Sequence, residues 1–529
     1  MTRLFLVLTI CLMLASTSLA ALTDPVRVEQ GLLSGAAGRA PGVHVYLGIP
    51  FAAPPVGNLR WQPPQPPAPW KGVREATAFG HACWQAPYPV NSIYQAKLPP
   101  LSEDCLYLNV WTPAKSSEDR LPVMVWIHGG GFTRGSAATE AYDGENLARK
   151  CVVVVTINYR LGVFGFFAHP ALTRESAHHA SSNYALLDQI AALQWVKKNM
   201  AAFGGDPGCV TIFGESAGSW AVNSLMASPL AKGLFHRAIG ESGGSFAPMK
   251  TLAAAEKSGE QLAAALGARK NKDQETLKTL RAMSPEELLK AADAPVVRPI
   301  VDGWVLPQDV ATIFAQGKQN DVPLIAGSNS DEGTTLAPEG ALIRSAMFTA
   351  GVRQRYGDLA GDFLKIYPAA TDEESVASFF AAYRDQIFGW EMRTWTSMAT
   401  RTGHHPAYLY YFTRRPPAPQ SHRLGAFHAS EIAYVFGNFV WPFPWQQADH
   451  KLSEIISSYW VNFARTGDPN GEGLPQWPVY NTQEDQAMEL GEKVAPRSHI
   501  NKAGLDFFDA YYQSLKAPAA ANAAAKTAK

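Results

Sequence analysis

The stretch VTIFGESAGSWAVNSLMASP, Val210 to Pro229, holds a serine between two glycines. Apolar residues lead up to Gly214, and a helical pattern follows Gly218. A G-x-S-x-G turn between strand and helix lifts its serine clear of the backbone, because the bend is too tight for bulky neighbours. The helix behind it aims free N–H groups at developing negative charge. Ser216 is therefore a candidate nucleophile for acyl transfer, with Gly214 and Gly218 supplying clearance. A second match, GESGG at Gly240 to Gly244, centres on Ser242. Paired glycines and Pro248 follow it, a poor start for a helix. The strand–turn–helix criterion thus favours Ser216.

Such a nucleophile needs a base, an acid to orient the base, and donors for an oxyanion. The run LPVMVWI, Leu121 to Ile127, leads directly into HGGGF, His128 to Phe132. Three glycines in a row cost chain entropy, which makes sense where backbone must approach a ligand. The N–H groups of Gly130, Gly131 and Ala217 are the candidate oxyanion hole, and the glycine run matches the form found in lipases and esterases. His128 reads as structural. In this chain order an acid follows the serine and a histidine follows the acid. After VPLIAG, Val322 to Gly327, come Asp331 and Glu332, side by side in SNSDEGT. Periodicity does not choose between them. The downstream histidines are His404, His405, His422, His428, His450 and His499. His428 stands among the small residues Gly425, Ala426 and Ala429, with Ser430 placed to cap a helix near Glu431. It is the favoured base. With such a base the rate should fall below about pH 6.5, where an ordinary histidine protonates. The scheme requires no metal and no cofactor.

The elements that must hold these groups are legible as runs. LPVMVWI, CVVVVTI (Cys151 to Ile157), CVTIF (Cys209 to Phe213) and VPLIAG are short and almost wholly apolar. Such runs suit strands covered on both faces. Between two of them Leu186, Leu187, Ile190, Leu193, Trp195 and Val196 share a helical face, and Gly204 and Gly205 end the helix. Buried strands alternating with helices imply an α/β fold with a mostly parallel sheet. VHVYLGIPF reads as an early strand with Val43, Val45, Leu47 and Ile49 inward and one wet face. Thr251 to Asp293 and Glu339 to Arg401 read as helical insertions over the carboxyl edge of the sheet, forming pocket walls.

Of the 529 residues, 47% are hydrophobic, enough for a large core. Lys plus Arg is 46 and Asp plus Glu is 46, so no basic surface advertises nucleic acid. Met1 to Ala20 has a short positive start, an apolar run and a small-x-small end, the form of a signal peptide. Export to the periplasm or the extracellular space is expected, with no stable membrane insertion. Residues 21–516 then form one domain, and 517–529 are a low-complexity tail expected to fray. Export permits a disulfide, and Cys83 and Cys105 bracket a Pro-rich polar loop that one would close. Cys151 and Cys209 read as free buried thiols.

Taken together, EDCLYLNV, HGGGF, FGESAG, SDEGT and FHASEIAYVFG resemble the type-B carboxylesterases, relatives of cholinesterases and of bacterial para-nitrobenzyl esterases. The resemblance runs from about Val26 to Tyr512. It implies an α/β-hydrolase fold and a Ser–Glu–His triad of Ser216, Glu332 and His428, and so resolves the acid by analogy. It also supports the Cys83–Cys105 disulfide and the three oxyanion donors. A small-molecule ester is the implied substrate. The cholinesterase tryptophan that holds choline has no counterpart at the far end of this loop, where Tyr94 is the nearest aromatic. Two other readings use the same fold: a serine amidase or narrow ester-detoxifying hydrolase, and a non-catalytic adhesion homologue.

Overall fold

The computed structural model describes residues 24–268, 273–291, 298–336 and 343–527. The expected signal peptide, Met1 to Ala20, lies outside them. Eleven strands form the central sheet: β1 (Ala36–Ala37), β2 (His44–Pro50), β3 (Tyr107–Thr112), β4 (Leu121–Ile127), β5 (Val153–Ile157), β6 (Gly205–Glu215), β7 (Arg237–Glu241), β8 (Leu324–Asn329), β9 (Ala407–Phe412), β10 (Gln486–Leu490) and β11 (Val494–Ser498). Their order across the sheet is β11-β10-β9-β8-β7-β6-β4-β5-β3-β2-β1. Every neighbouring pair from β10 across to β5 is parallel, and both margins are antiparallel.

All four apolar runs are strands of the parallel region, which is why they show no polar alternation. On β4, Val123, Val125 and Ile127 enter the core on one face, and Met124 and Trp126 enter the core on the other. Helices α1 (Tyr184–Asn199) and α2 (Ala217–Ala227) cover the first face. Helix α3 (Gln447–Thr466) covers the second with Leu452, Ile456 and Trp460. Each such side chain removed from water contributes about 2 kcal/mol. The six expected apolar residues of α1 are all buried. A left-handed Gly204, at φ 74°, closes the turn that follows α1.

Several expectations change. Strand β2 has no wet face: Tyr46 and Ile49 pack in one core, while Val43, with Val45 and Leu47 against it, belongs to the other. A register shift between Tyr46 and Ile49 inverts the alternation partway along the strand. Cys151 and Cys209 are free but not buried: Cys151 is exposed, and Cys209 is partly exposed. Of the residues expected to fray at the carboxyl end, 517–527 continue a helix, Lys502–Thr527, and the last two lie outside the described residues.

The two insertions are largely helical over their described residues, but only the second, through Tyr383 and Phe388, walls the large cavity described below; no described residue of Thr251 to Asp293 lines it. The first holds Leu252–Ala265, Asp273–Ala282 and Pro285–Ala291. The second ends in Asp372–Arg384 and Trp390–Thr402, joined by a π-helical turn over Asp385–Gly389. The wider turn carries Phe388 onto the wall of the large cavity described below. Cys83 and Cys105 are disulfide-bonded, with Cα atoms 5.0 Å apart. Among the described residues no helix is long and apolar enough to cross a membrane.

Candidate active site

The chemical residues leave the carboxyl ends of adjacent parallel strands, where open α/β sheets gather their ligands. Ser216 follows β6, the glycine run follows β4, Ser242 follows β7, and Glu332 follows β8. His428 lies in the connection after β9.

Ser216 has φ 55° and ψ −119°, between β6 and the first residue of α2. This strained backbone, which costs on the order of 1–3 kcal/mol, sets the hydroxyl above the sheet. A methyl at Gly218 would collide with the Ile127 carbonyl, and one at Gly214 would lie 2.5 Å from the same oxygen. Only glycine lets the turn sit this close to β4.

The glycine run folds back on itself: Thr133 and Arg134 N–H groups donate to the Gly130 carbonyl at 3.1 and 3.0 Å. Gly130 and Gly131 adopt φ 104° and 63°. Among the described residues, the N–H groups of Gly130, Gly131 and Ala217 donate to no protein acceptor. His128 sits beneath them, wholly buried, its ring stacked on Tyr159 at 4.4 Å. The Tyr159 hydroxyl donates to the His128 carbonyl at 2.6 Å. Burial pushes the His128 imidazole down to about 4, so it stays neutral and braces the loop.

Of the two adjacent carboxylates, Glu332 reaches the histidine: its Oε2 lies 2.5 Å from His428 Nδ1. Its Oε1 accepts from the Ser242 hydroxyl at 2.6 Å and from the Asn329 N–H at 2.8 Å. Asp331 turns the other way and accepts from the Ala426 N–H at 2.9 Å, tying down the chain that leads to His428. The rival histidines His404 and His422 are exposed and lie outside the cavity. Ser430 does not cap the following helix, Ile432–Phe436. Glu431 stands at that boundary with helical backbone, and the buried Ser430 hydroxyl has no partner among the described residues.

His428 Nε2 lies 3.0 Å from Glu215 Oε1, while the Ser216 hydroxyl, next in sequence, makes no hydrogen bond to a described residue. The imidazole is thus flanked by two glutamates. Burial, then the charges of Glu332 and Glu241, holds the Glu215 carboxyl well above its usual range. Burial likewise raises Glu241 to about 8, against a hydrogen bond from Trp460. Glu431 is raised by burial and by the neighbouring glutamates.

Two contacts escape a motif reading, Ser242 as a brace for Glu332 and Tyr94 against the His428 carbonyl, while Glu215, beside Ser216 in the motif itself, turns out to neighbour His428. The Tyr94 hydroxyl donates to the His428 carbonyl at 3.0 Å and contacts Thr335 at 2.5 Å. The second G-x-S-x-G match was the available signal for Ser242. Its backbone has φ 57°, nearly that of Ser216.

Ser216, His428, Gly130 and Gly131 open onto one cavity of about 940 Å³, walled by aromatic residues that include Tyr88, Trp220 and Phe388. The volume suits an organic substrate of substantial size.

Residues 23–508 match the family model described as the carboxylesterase family. The chain is 38% identical over 497 residues to a fumonisin B1 esterase of Sphingopyxis macrogoltabida, covering 91% of this chain and 90% of the relative. It is 38% identical to a para-nitrobenzyl esterase of Bacillus subtilis (strain 168), covering 86% and 92% of the two chains. A solved PNB esterase structure superposes with a TM-score of 0.81 at 35% identity, covering 91% of this chain and 99% of that one. With a family model matched over residues 23–508, a 38% identical esterase and a shared α/β-hydrolase architecture, the chain belongs to the carboxylesterase family as a carboxylic ester hydrolase.

Proposed function

We propose that the chain hydrolyses small-molecule esters through an acyl-enzyme on Ser216, with His428 as base and Glu332 as its orienting acid. Neutral His428 takes the Ser216 proton at Nε2 while Oγ bonds to the ester carbonyl carbon. The carbonyl oxygen becomes an oxyanion, held by the N–H groups of Gly130, Gly131 and Ala217. Imidazolium returns the proton to the alcohol as the acyl–oxygen bond breaks. Water then repeats the attack and frees the acid. For the first transfer, the Ser216 hydroxyl must take the place that Glu215 holds at Nε2. Glu332 and its brace Ser242 keep Nδ1 in place throughout.

The observation that carries this reading is the 2.5 Å contact between Glu332 and His428, whose ring opens onto the cavity beside Ser216. Para-nitrobenzyl and fumonisin B1 esters, named for the relatives, are reasonable first substrates. The Met1–Ala20 segment supports export to the periplasm or beyond, with residues 21–516 as the mature domain and 517–529 as its tail. Ser216→Ala should lower ester turnover by at least about 10⁴-fold with the fold retained. An unchanged rate of ester cleavage in that variant overturns the assignment.

A further inference from the structure

Three cations line the cavity, Lys97, Arg134 and Arg298, and Arg298 is the one set over an aromatic ring of the nucleophile's own helix. The Arg298 guanidinium lies over the Trp220 ring, 4.5 Å from its centroid. Trp220 is one helical turn beyond Ser216 on α2, and both residues line the same cavity as Arg298. Among the described residues no carboxylate lies within ion-pair distance of Arg298, and its side chain is solvent-exposed. The nearby Glu391 does not neutralise it. That buried carboxyl accepts from the Phe246 N–H at 2.7 Å, and burial holds it up at about 8. Arg134, another cation on the wall, is already occupied: its Nε donates to the Ala86 and Pro87 carbonyls and its guanidinium covers Tyr88 at 5.4 Å.

We propose that Arg298 is a specificity-determining residue that selects esters bearing a carboxylate a few carbons from the scissile carbonyl. The proposal rests on the esterase reading above and narrows it. A planar guanidinium braced on an indole face keeps both of its outer nitrogens for a bidentate carboxylate. Trp220 is itself fixed, since its indole N–H donates to the Gly244 carbonyl and its ring stacks against Phe132 and Phe388. The guanidinium therefore stands on a rigid platform tied to the nucleophile's own helix. An ester lacking the carboxylate leaves the cation hydrated and gains nothing from it. An ester carrying it is held with its carbonyl near Ser216.

The test compares matched pairs of substrates by product release. Monoethyl glutarate against ethyl valerate places the carboxylate on the acyl side. The acetate ester of 6-hydroxyhexanoate against hexyl acetate places it on the alcohol side. The wild-type protein is expected to favour the charged member of at least one pair by about tenfold or more in kcat/KM. Arg298→Leu should remove that preference and leave the neutral esters within about twofold. Arg298→Lys should retain part of it, because charge survives without the planar fork. The preference should also shrink as salt rises. No preference in either pair, or an equal loss for charged and neutral esters in Arg298→Leu, overturns the proposal. Failure of the wild-type protein to cleave any of the four esters, or the para-nitrobenzyl ester, counts instead against the esterase reading itself.

Discussion

At the scale of single residues, the division of labour between Asp331 and Glu332 is the sharpest feature of the site. The two are adjacent and chemically alike, yet one carboxylate faces the imidazole and the other anchors the Ala426 amide. A carboxylate that orients an imidazole stabilises the cation formed during proton transfer, a contribution absent from the ground state. Glu332→Gln should therefore lower kcat by about 10³-fold or more with KM little changed. Asp331→Asn should keep most of kcat and lose stability, since its acceptor role falls on a loop amide. Steady-state kinetics beside thermal melts of the two variants separate these effects. Equal losses of kcat would mean that the acid has been misassigned. Ser242 belongs at the same scale: a hydroxyl first met as a rival nucleophile donates to Glu332 at 2.6 Å.

At the scale of elements, the site depends on how closely α2 approaches the end of β4. The strained Ser216 backbone is held from both sides. Its N–H donates to the Glu241 carbonyl of β7 at 2.8 Å, and its own carbonyl accepts from Trp220 N–H at 2.9 Å. Gly218 permits the contact with Ile127, so even one methyl there must push the helix from the strand. Gly218→Ala should cost about 2–3 kcal/mol in urea unfolding and should depress kcat, because the Ala217 amide moves with the helix. A variant with the wild-type midpoint would show that the helix yields without loss. The π-helical turn over Asp385–Gly389 works in a similar way: one widened turn carries Phe388 to within 4.8 Å of the His428 ring centroid.

At the scale of the whole molecule, the cluster of buried glutamates links stability to pH. Burial raises Glu241 to about 8, from the 4.5 of an exposed glutamate. Between those values the folded protein holds a proton that the unfolded chain has released. Stability from this group is therefore lost as pH rises from about 4.5 to about 8. Glu241→Gln keeps an acceptor for Trp460 and removes the titration. The variant should melt higher than the wild type at pH 8, by roughly 1–3 kcal/mol of stability, and the difference should vanish near pH 4.5. A pH-independent offset between the two melting curves would rule this linkage out. Glu215 and Glu431 contribute in the same direction, since burial raises both.

Features that depend on neighbours along the chain were legible in the residues. Apolar runs marked β4, β5, β6 and β8, because burial on both faces removes polar alternation. Glycine spacing marked the tight turn at Ser216 and the glycine loop after β4, the proposed nucleophile and oxyanion elements, because close backbone approach excludes a side chain. The Cys83–Cys105 disulfide was expected from an export signal and the loop between them, with support from the family resemblance. The tertiary structure alone decided what depends on residues far apart in the chain. A register shift, set by pairing with β3, put Ile49 on the face of Tyr46 instead of that of Val45 and Leu47. No local pattern tells Asp331 from Glu332, since each orientation is fixed by partners some 90 residues away, at Ser242, Ala426 and His428. Glu215 meets His428 for the same reason: a carboxyl can sit beside an imidazole only where distant elements close together and exclude water, and that exclusion is a property of the assembled core.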